Sequence, residues 1–120
     1  MCKTPTYRPR QCRARGVRAL VCKADVGTDA GCEFMVARTI SELGRVDLLV
    51  NNAGTTTFVK EGDLDTLSTD DFQHIYSVNA LGAYRMIRLC APHMRAVGGG
   101  RVVNVSSVAG VYHTVGRCTR

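Results

Sequence analysis

Two adjacent serines, Ser106 and Ser107, follow a short apolar stretch late in the sequence. A serine hydroxyl alone is a weak acid, base or nucleophile, so it performs chemistry only beside a partner that activates or orients it. Small polar groups also follow two earlier apolar stretches, at Asp25 and at residues 51–54, which read Asn-Asn-Ala-Gly. Ligands of an open parallel sheet bind beyond the carboxyl ends of its strands. One such group alone is typical of an ordinary turn, but three together favour a binding site.

Asn79 is a further candidate, because it lies on the apolar side of a predicted helix with Gly82 one turn later. Its amide should therefore face the sheet, and a buried amide is costly unless its donors and acceptors are hydrogen-bonded. Two interpretations remain open. In the first, the amide holds the helix to a neighbouring stretch of backbone. In the second, it orders water near the strand ends.

Alternating strand-like and helix-like stretches position these residues. Residues 17–26 are apolar and β-prone, which predicts a first strand. A helix is predicted after Thr28, a typical N-cap, and it should end at Gly44. Its apolar positions share one face: Cys32, Val36, Ile40 and Leu43. Residues 46–52 predict a second strand, whose continuous Leu48-Leu49-Val50 run is typical of a strand covered on both faces.

A longer helix is predicted from Ser68, because Asp71 completes a capping-box pattern three residues later. Its stripe comprises Phe72, Ile75, Asn79, Gly82, Met86, Leu89 and Cys90. Pro92 is expected to bend or end this helix. Three glycines, 98–100, then turn the chain into a third strand at 101–107. Since helices of this length connect parallel strands, the order predicts an α/β fold over residues 17–107, half of a doubly wound parallel sheet.

The charge of the chain is uneven. At 120 residues, with a net charge of +6, it is long enough for one domain. Residues 1–23 hold seven basic side chains and no acidic one, whereas the remaining residues hold nine basic and ten acidic groups. Such an arm either binds nucleic acid or an acidic surface, or is a solvated and poorly ordered tail. No aromatic residues are patterned for base stacking, so we expect the tail.

Neither a metal site nor a membrane span is indicated. The six cysteines contain no C-x-x-C pair, and Cys22 and Cys90 lie in apolar runs where a thiol behaves as a small hydrophobic group. No run of 18 apolar residues exists. These features predict a reduced cytoplasmic protein with no metal.

Three motifs resemble those of the short-chain dehydrogenases/reductases. They are DLLVNNAG, the S-V-N-A of the longer helix, and RVVNVSSVAG, in the family's order and at similar intervals. The resemblance covers residues 13–112 and is nearest to 3-oxoacyl-carrier-protein reductase-like members. It implies part of a Rossmann-type sheet (a βαβαβ portion), a NAD or NADP cofactor, and a small-molecule carbonyl or alcohol substrate. It also implies a homo-oligomer for the full-length parent.

The resemblance implies two sets of site residues. The implied cofactor-binding residues are Asp25 and Val26, beside the adenine ring, and Asn52, Ala53 and Gly54, in a turn that passes close to the cofactor. The implied catalytic residues are Asn79, in a proton relay, and Ser107, which hydrogen-bonds the substrate carbonyl.

Two parts of the family pattern are not found in this sequence. The family's serine works with a tyrosine about thirteen residues later and a lysine four residues beyond that. Arg120 stands at the tyrosine position, Tyr112 is too near Ser107, and no lysine follows residue 60. The glycine-rich turn T-G-x-x-x-G-x-G, which receives the cofactor's pyrophosphate at a helix N-terminus, is also absent from it.

We therefore expect an internal part of a dehydrogenase domain, residues 13–112, between a basic arm (1–12) and an unrelated tail (113–120). By family it is an NAD(P)-dependent oxidoreductase that interconverts an alcohol and a ketone, but the chain alone is expected to be inactive. The alternative is a non-catalytic interaction module, which binds a partner through its exposed sheet edges or its basic arm.

Overall fold

The computed structural model describes residue 12 and residues 14–58 and 65–107. Most of the predicted basic arm and the whole tail after residue 112 lie outside these residues. The described elements are α1 (Asp29–Leu43), β1 (Leu48–Asn51), α2 (Thr69–Tyr76), a π-helical segment (Ser77–Leu81), α3 (Gly82–Ala96) and β2 (Arg101–Asn104). None of the helices in this part of the chain has both the length and the apolar character needed to cross a bilayer.

Helix α1 begins and ends where its capping residues predict. The Thr28 hydroxyl accepts a hydrogen bond from the Gly31 N–H at 3.1 Å, which satisfies one of the unpaired donors of the first turn. Gly44 adopts a left-handed conformation (φ 86°) and donates its N–H to the Ile40 carbonyl. Cys32 and Val36 on the predicted apolar face are buried.

Strands β1 and β2 pair in parallel, with Leu48 opposite Arg101 and Asn51 opposite Asn104. The connection between them runs through α2, the π-helical segment and α3, as a parallel pair requires. This arrangement confirms the predicted α/β class and the partial Rossmann-type sheet.

The first predicted strand does not form. Residues 17–25 have no regular secondary structure, and the sheet of the described residues contains β1 and β2 alone. A strand becomes stable by pairing its N–H and C=O groups with a neighbouring strand. In the described residues β1 and β2 pair only with each other, so the β-prone run at 17–25 has no partner strand.

The prediction that β1 is covered on both faces is also wrong for the described residues. Leu49 is 8% exposed, whereas Leu48 and Val50 are 54% and 51% exposed. Successive strand side chains point to opposite faces. Leu49 packs in one cluster with Cys32 and Val36 of α1 and with Met86, Cys90 and Met94 of α3. Both helices therefore cover the same face of the sheet.

The longer predicted helix is divided into three parts. Its start is as predicted, since Ser68 and Asp71 form the complete capping box. Gly82, Met86 and Cys90 of the predicted stripe are buried, but Phe72 is exposed. The helix does not end at Pro92, which lies inside α3. Proline removes one helical hydrogen bond, and the burial of Cys90 and Met94 on either side of Pro92 holds the helix together.

Candidate functional site

The carboxyl ends of β1 and β2 are tied together by a pair of asparagines. The Asn51 side chain donates from Nδ2 to Asn104 Oδ1 at 2.8 Å. The Val105 N–H donates to the Asn51 carbonyl at 2.9 Å, which continues the parallel pattern one residue beyond β2. Continued by one residue, the register places Asn52 beside Val105, and Ser106 follows directly, so the polar groups after both strands lie at the same edge of the sheet, as the strand-end rule predicts.

Asn79 fastens the loop after β1 to the π-helical segment. Its Oδ1 accepts a hydrogen bond from the Thr55 N–H at 2.8 Å, and its Nδ2 donates to the Thr55 carbonyl at 2.9 Å. This geometry bears out the interpretation in which the amide holds the helix to neighbouring backbone. The expectation that Asn79 is buried against the sheet is wrong, because the side chain is exposed and turned toward the loop.

The turn Ala53-Gly54 lies beside this amide. A Cβ atom placed on Gly54 would meet Asn79 Oδ1 at 3.7 Å, an ordinary van der Waals contact, and, apart from its chain neighbours, no other atom of the described residues within 4 Å. The backbone here is therefore open on its outer side. Small residues at such a place allow a flat ligand to lie close to the main chain.

The loop before α1 is fixed by its own polar groups. Asp25 Oδ1 accepts a hydrogen bond from the Gly27 N–H at 2.8 Å, and the Thr28 hydroxyl donates to the Asp25 carbonyl at 3.1 Å. Such aspartate-to-backbone bonds are typical of tight turns. Val26 packs close to Gly82 of α3, where an added Cβ would meet Val26 Cγ2 at 3.1 Å. Asp25 itself is exposed.

The π-helical segment that carries Asn79 is not indicated by the sequence. Its defining hydrogen bond runs from the Gly82 N–H to the Ser77 carbonyl, five residues back. Val78, which is absent from the predicted stripe, is buried. Widened turns of this kind occur frequently at functional sites. The apolar positions keep ordinary helical spacing across residues 77–81, so the periodicity of the sequence could not have revealed the extra residue in this turn.

An ion network joins α3 to the start of α1. Arg85 Nε lies 3.3 Å and Arg88 Nη2 lies 3.2 Å from Asp29 Oδ1. Sequence reasoning missed these residues, because charged side chains on an amphipathic helix usually belong to its solvated face.

Three acidic groups have shifted pKa values. Hydrogen bonds from the side chain and backbone of Ser68 lower the pKa of Asp71. Burial raises the pKa of the Cys32 thiol. Burial, and then the neighbouring Cys32, raises the pKa of Cys90. In the described ranges no group of three or more His, Cys, Asp or Glu side chains could hold a metal ion.

A sequence profile described as short chain dehydrogenase matches residues 5–119 of this chain. The match extends beyond residues 13–112 at both ends, and the boundaries of the arm and tail stay a prediction. Over 100 residues the chain is 35% identical to the 2-(R)-hydroxypropyl-CoM dehydrogenase of Xanthobacter autotrophicus, with 83% of this chain and 40% of that protein covered. Over 92 residues it is 37% identical to a granaticin polyketide synthase protein of Streptomyces violaceoruber described as a candidate ketoacyl reductase, with 77% and 37% covered.

Two solved structures resemble the chain. A 7α-hydroxysteroid dehydrogenase complexed with NADH and 7-oxo glycochenodeoxycholic acid superimposes with a TM-score of 0.79 at 29% identity, with 89% of this chain and 40% of that chain covered. A metagenomic short-chain oxidoreductase in complex with NADP gives a TM-score of 0.77 at 29% identity, with 89% and 47% covered. The chain spans about two fifths of the length of the curated relatives named above.

Proposed function

We propose that this chain, which belongs to the short-chain dehydrogenase family, forms the cofactor-facing part of an NAD(P)-dependent oxidoreductase that interconverts an alcohol and a ketone. The observation that carries the proposal is the pair of hydrogen bonds between Asn79 and Thr55. They bind Thr55, the residue that follows the Asn52-Ala53-Gly54 turn, to the π-helical segment, at the carboxyl edge of the sheet where Ser106 and Ser107 follow β2.

The residues at this edge suit a dinucleotide. The exposed Asp25 carboxylate and the adjacent Val26 would flank the adenine ring. The Ala53-Gly54 backbone would lie along the cofactor, because these two residues carry at most a methyl group and so let a ligand approach the main chain closely. When bound, the nicotinamide ring supplies or accepts the hydride.

The chain's own contribution to the reaction is orientation. The Ser107 hydroxyl would donate a hydrogen bond to the substrate's carbonyl oxygen, which would stabilise the negative charge that develops there. Asn79 would keep the cofactor-side loop in place. A serine hydroxyl is too weak an acid to supply the proton by itself, and neither a Tyr-x-x-x-Lys pair nor a glycine-rich phosphate turn is found in this sequence. We therefore infer that the chain alone binds the cofactor weakly and does not turn over.

Chemical-shift mapping of the isotopically labelled chain tests the proposal. Adenosine diphosphate ribose should perturb the amides of residues 25–27, whereas nicotinamide mononucleotide should perturb Thr55 and the Asn79 side chain. NADH and NADPH should perturb both sets, with dissociation constants no tighter than millimolar, or about −4 kcal/mol. Perturbation away from both sets would refute the proposed site. A low-micromolar constant by calorimetry would refute the proposed weakness.

The natural substrate is proposed as a small-molecule carbonyl or alcohol. The similarity to a candidate ketoacyl reductase favours a 3-oxoacyl compound. We propose a homo-oligomer for the whole enzyme and a reducing, cytoplasmic location. The unbonded thiols of Cys12, Cys22, Cys32 and Cys90 support that location. Anaerobic alkylation of the protein in fresh lysate should label the accessible thiols, and a disulfide-linked form would contradict the proposed location.

A second candidate function is an interaction module. It is favoured by the exposed apolar side chains of Leu48, Val50 and Val103, since a large exposed apolar patch commonly marks a binding surface. Light scattering during size-exclusion chromatography should then show association that increases with concentration. A monomer that melts sharply above about 60 °C would contradict this function. Nucleic acid that copurifies and is lost at high salt would point instead to the basic arm, most of which lies outside the described residues.

A further inference from the structure

Arg85 is an unusually enclosed cation for a surface helix. Its side chain is 15% exposed, compared with 54% for Arg88 one turn later. Its guanidinium contacts two elements besides its own. Nε lies 3.3 Å from Asp29 Oδ1 at the start of α1. Nη1 donates to the Ser77 carbonyl at 3.2 Å and to Ser77 Oγ at 3.4 Å.

Ser77 is the first residue of the π-helical segment, and each of its polar groups is used. Its N–H is shared between the carbonyls of Gln73 and His74. Its carbonyl accepts from the Gly82 N–H and from Arg85. Its hydroxyl donates to the Gly27 carbonyl at 2.7 Å, across 50 residues of sequence. Ser77 therefore links the widened turn to the loop that carries Asp25.

The width of this turn decides where Asn79 points. An α-helix turns about 100° per residue, so an inserted residue rotates the flanking helices relative to each other by about that angle. If the segment closed to ordinary α-helix, Asn79 could not keep its present direction relative to both α2 and α3. The paired hydrogen bonds with Thr55 depend on that direction.

We propose that Arg85, acting through Ser77, is a positioning residue that keeps the π-helical segment wide and so directs Asn79 at Thr55. Through the bond between Ser77 and Gly27, the same contacts couple the two halves of the candidate cofactor site. The relevance to catalysis rests on the proposed function, whereas the coupling itself does not.

Arg88 provides a matched control. In the part of the chain that the structure describes, it contacts the same Asp29 carboxylate from the solvent side rather than Ser77. Loss of either arginine removes one positive charge and one ion pair with Asp29. Only the loss of Arg85 should also remove the hydrogen bonds that the guanidinium donates to the Ser77 carbonyl and hydroxyl.

Amide hydrogen exchange and the side-chain amide resonances of Asn79 test the proposal on the chain as it stands. Arg85→Met should shift the Asn79 resonances and speed exchange at the Thr55 amide about tenfold, the effect expected when a charge-assisted hydrogen bond is lost. Arg88→Met should leave both within about twofold. The Val105 amide, which bonds to Asn51 across the sheet, should keep its rate in both variants.

The outcomes separate positioning from general stability. Equal acceleration at Thr55 and Val105 would show that Arg85 merely stabilises the fold, and the proposal would be overturned. An unchanged Thr55 rate, or an equal effect of Arg88→Met, would also overturn it. If Arg85→Met does not fold, Ser77→Ala and Ser77→Thr test the proposal instead, because only the threonine variant keeps the hydroxyl. Thr55 exchange should accelerate in Ser77→Ala and stay near the original rate in Ser77→Thr, and the reverse would refute the proposal. Because no cofactor is used, failure here is distinct from failure of the proposed function.

Discussion

Gly31, the third residue of α1, is packed against the loop that carries Asp25. A Cβ placed on it would overlap the Asp25 carbonyl oxygen and would lie 2.9 Å from both Asp25 C and Thr28 Oγ1. These neighbours are backbone and a capping hydroxyl, so neither can rotate aside. We therefore expect Gly31→Ala to push the 25–28 loop away from the helix.

Two opposing effects set the change in the free energy of unfolding. Alanine is a better helix former than glycine, by about 1 kcal/mol. Overpacking costs about 1–3 kcal/mol. Displacing Thr28 also weakens the cap it makes to the Gly31 N–H at 3.1 Å, worth about 1 kcal/mol. The net expectation is a loss of about 1–3 kcal/mol, opposite in sign to the effect of helix propensity alone.

Urea denaturation followed by circular dichroism measures this change. Ala37→Gly, on the exposed side of the same helix, is the control that calibrates propensity, with an expected loss of about 1 kcal/mol. The Gly27 amide resonance should also shift in Gly31→Ala, because its N–H donates to the Asp25 carboxylate. A Gly31→Ala chain as stable as the original, or more stable, would refute the close approach of loop and helix.

Three further predictions concern caps, thiols and the sheet edge. Ser68→Ala should lower the free energy of unfolding by about 1 kcal/mol at neutral pH. Hydrogen bonds from Ser68 lower the pKa of Asp71 from 3.8, so this carboxylate stabilises the fold above pH 3.8 and loses that effect as the pH falls through its lowered pKa. The difference in free energy of unfolding between Ser68→Ala and the original chain should therefore shrink in urea titrations at acid pH, and a difference that stays constant would contradict this prediction. Burial raises the pKa of Cys90 above 9.0, so the fold should lose stability as the pH rises above about 9, where the thiol of the unfolded chain ionises. If Cys90→Val loses as much stability over the same pH range, the buried Cys90 thiol is not the cause. Asn51→Asp and Asn104→Asp should each be tolerated, because the remaining amide can donate to the new carboxylate. The double variant should lose more stability than the two single variants combined, because two like charges then repel across the strands. Additive losses in the double-mutant cycle would contradict the observed bond.

Local signals predicted both ends of α1 and the start of α2, but not the end of the longer helix. Thr28, Gly44 and the Ser68–Asp71 pair act within one turn of chain, so residue type alone determines most of their geometry. The crossover from β1 to β2 was predictable as well, because a strand, a long helix and a second strand leave few alternatives to parallel pairing.

The errors arose where distant partners decide the outcome. Residues 17–25 have the composition of a strand, yet a strand needs a neighbour that composition does not reveal. The apolar run at Leu48 and Val50 correctly indicated a strand, but α1 and α3 cover only the face that holds Leu49. Burial of the opposite face depends on what else packs there, which the run itself does not specify.

The candidate site was predictable at the level of position rather than contact. The rule that ligands lie beyond strand ends pointed to residues 51–54 and 106–107. Asn79 was identified as a residue that must satisfy its amide, but its partner, Thr55, lies 24 residues away and was not foreseen. Arg85 was missed, and Ser77 was noted only as part of the S-V-N-A motif, because the bond from Ser77 to Gly27 spans 50 residues and the π-helical geometry leaves no periodic trace in the sequence.

The Thr55 backbone explains why one side chain matters so much at this edge. Beyond β1 the chain leaves the sheet, so its N–H and C=O groups no longer have a strand partner, and unpaired polar backbone is costly when it is shielded from water. A single amide satisfies both groups of Thr55 at 2.8 and 2.9 Å, in the manner of one residue of a neighbouring strand. The loop therefore takes its position from the π-helical segment rather than from the sheet. Any change that narrows this segment should move the Ala53-Gly54 turn, even though no residue of the turn has been altered.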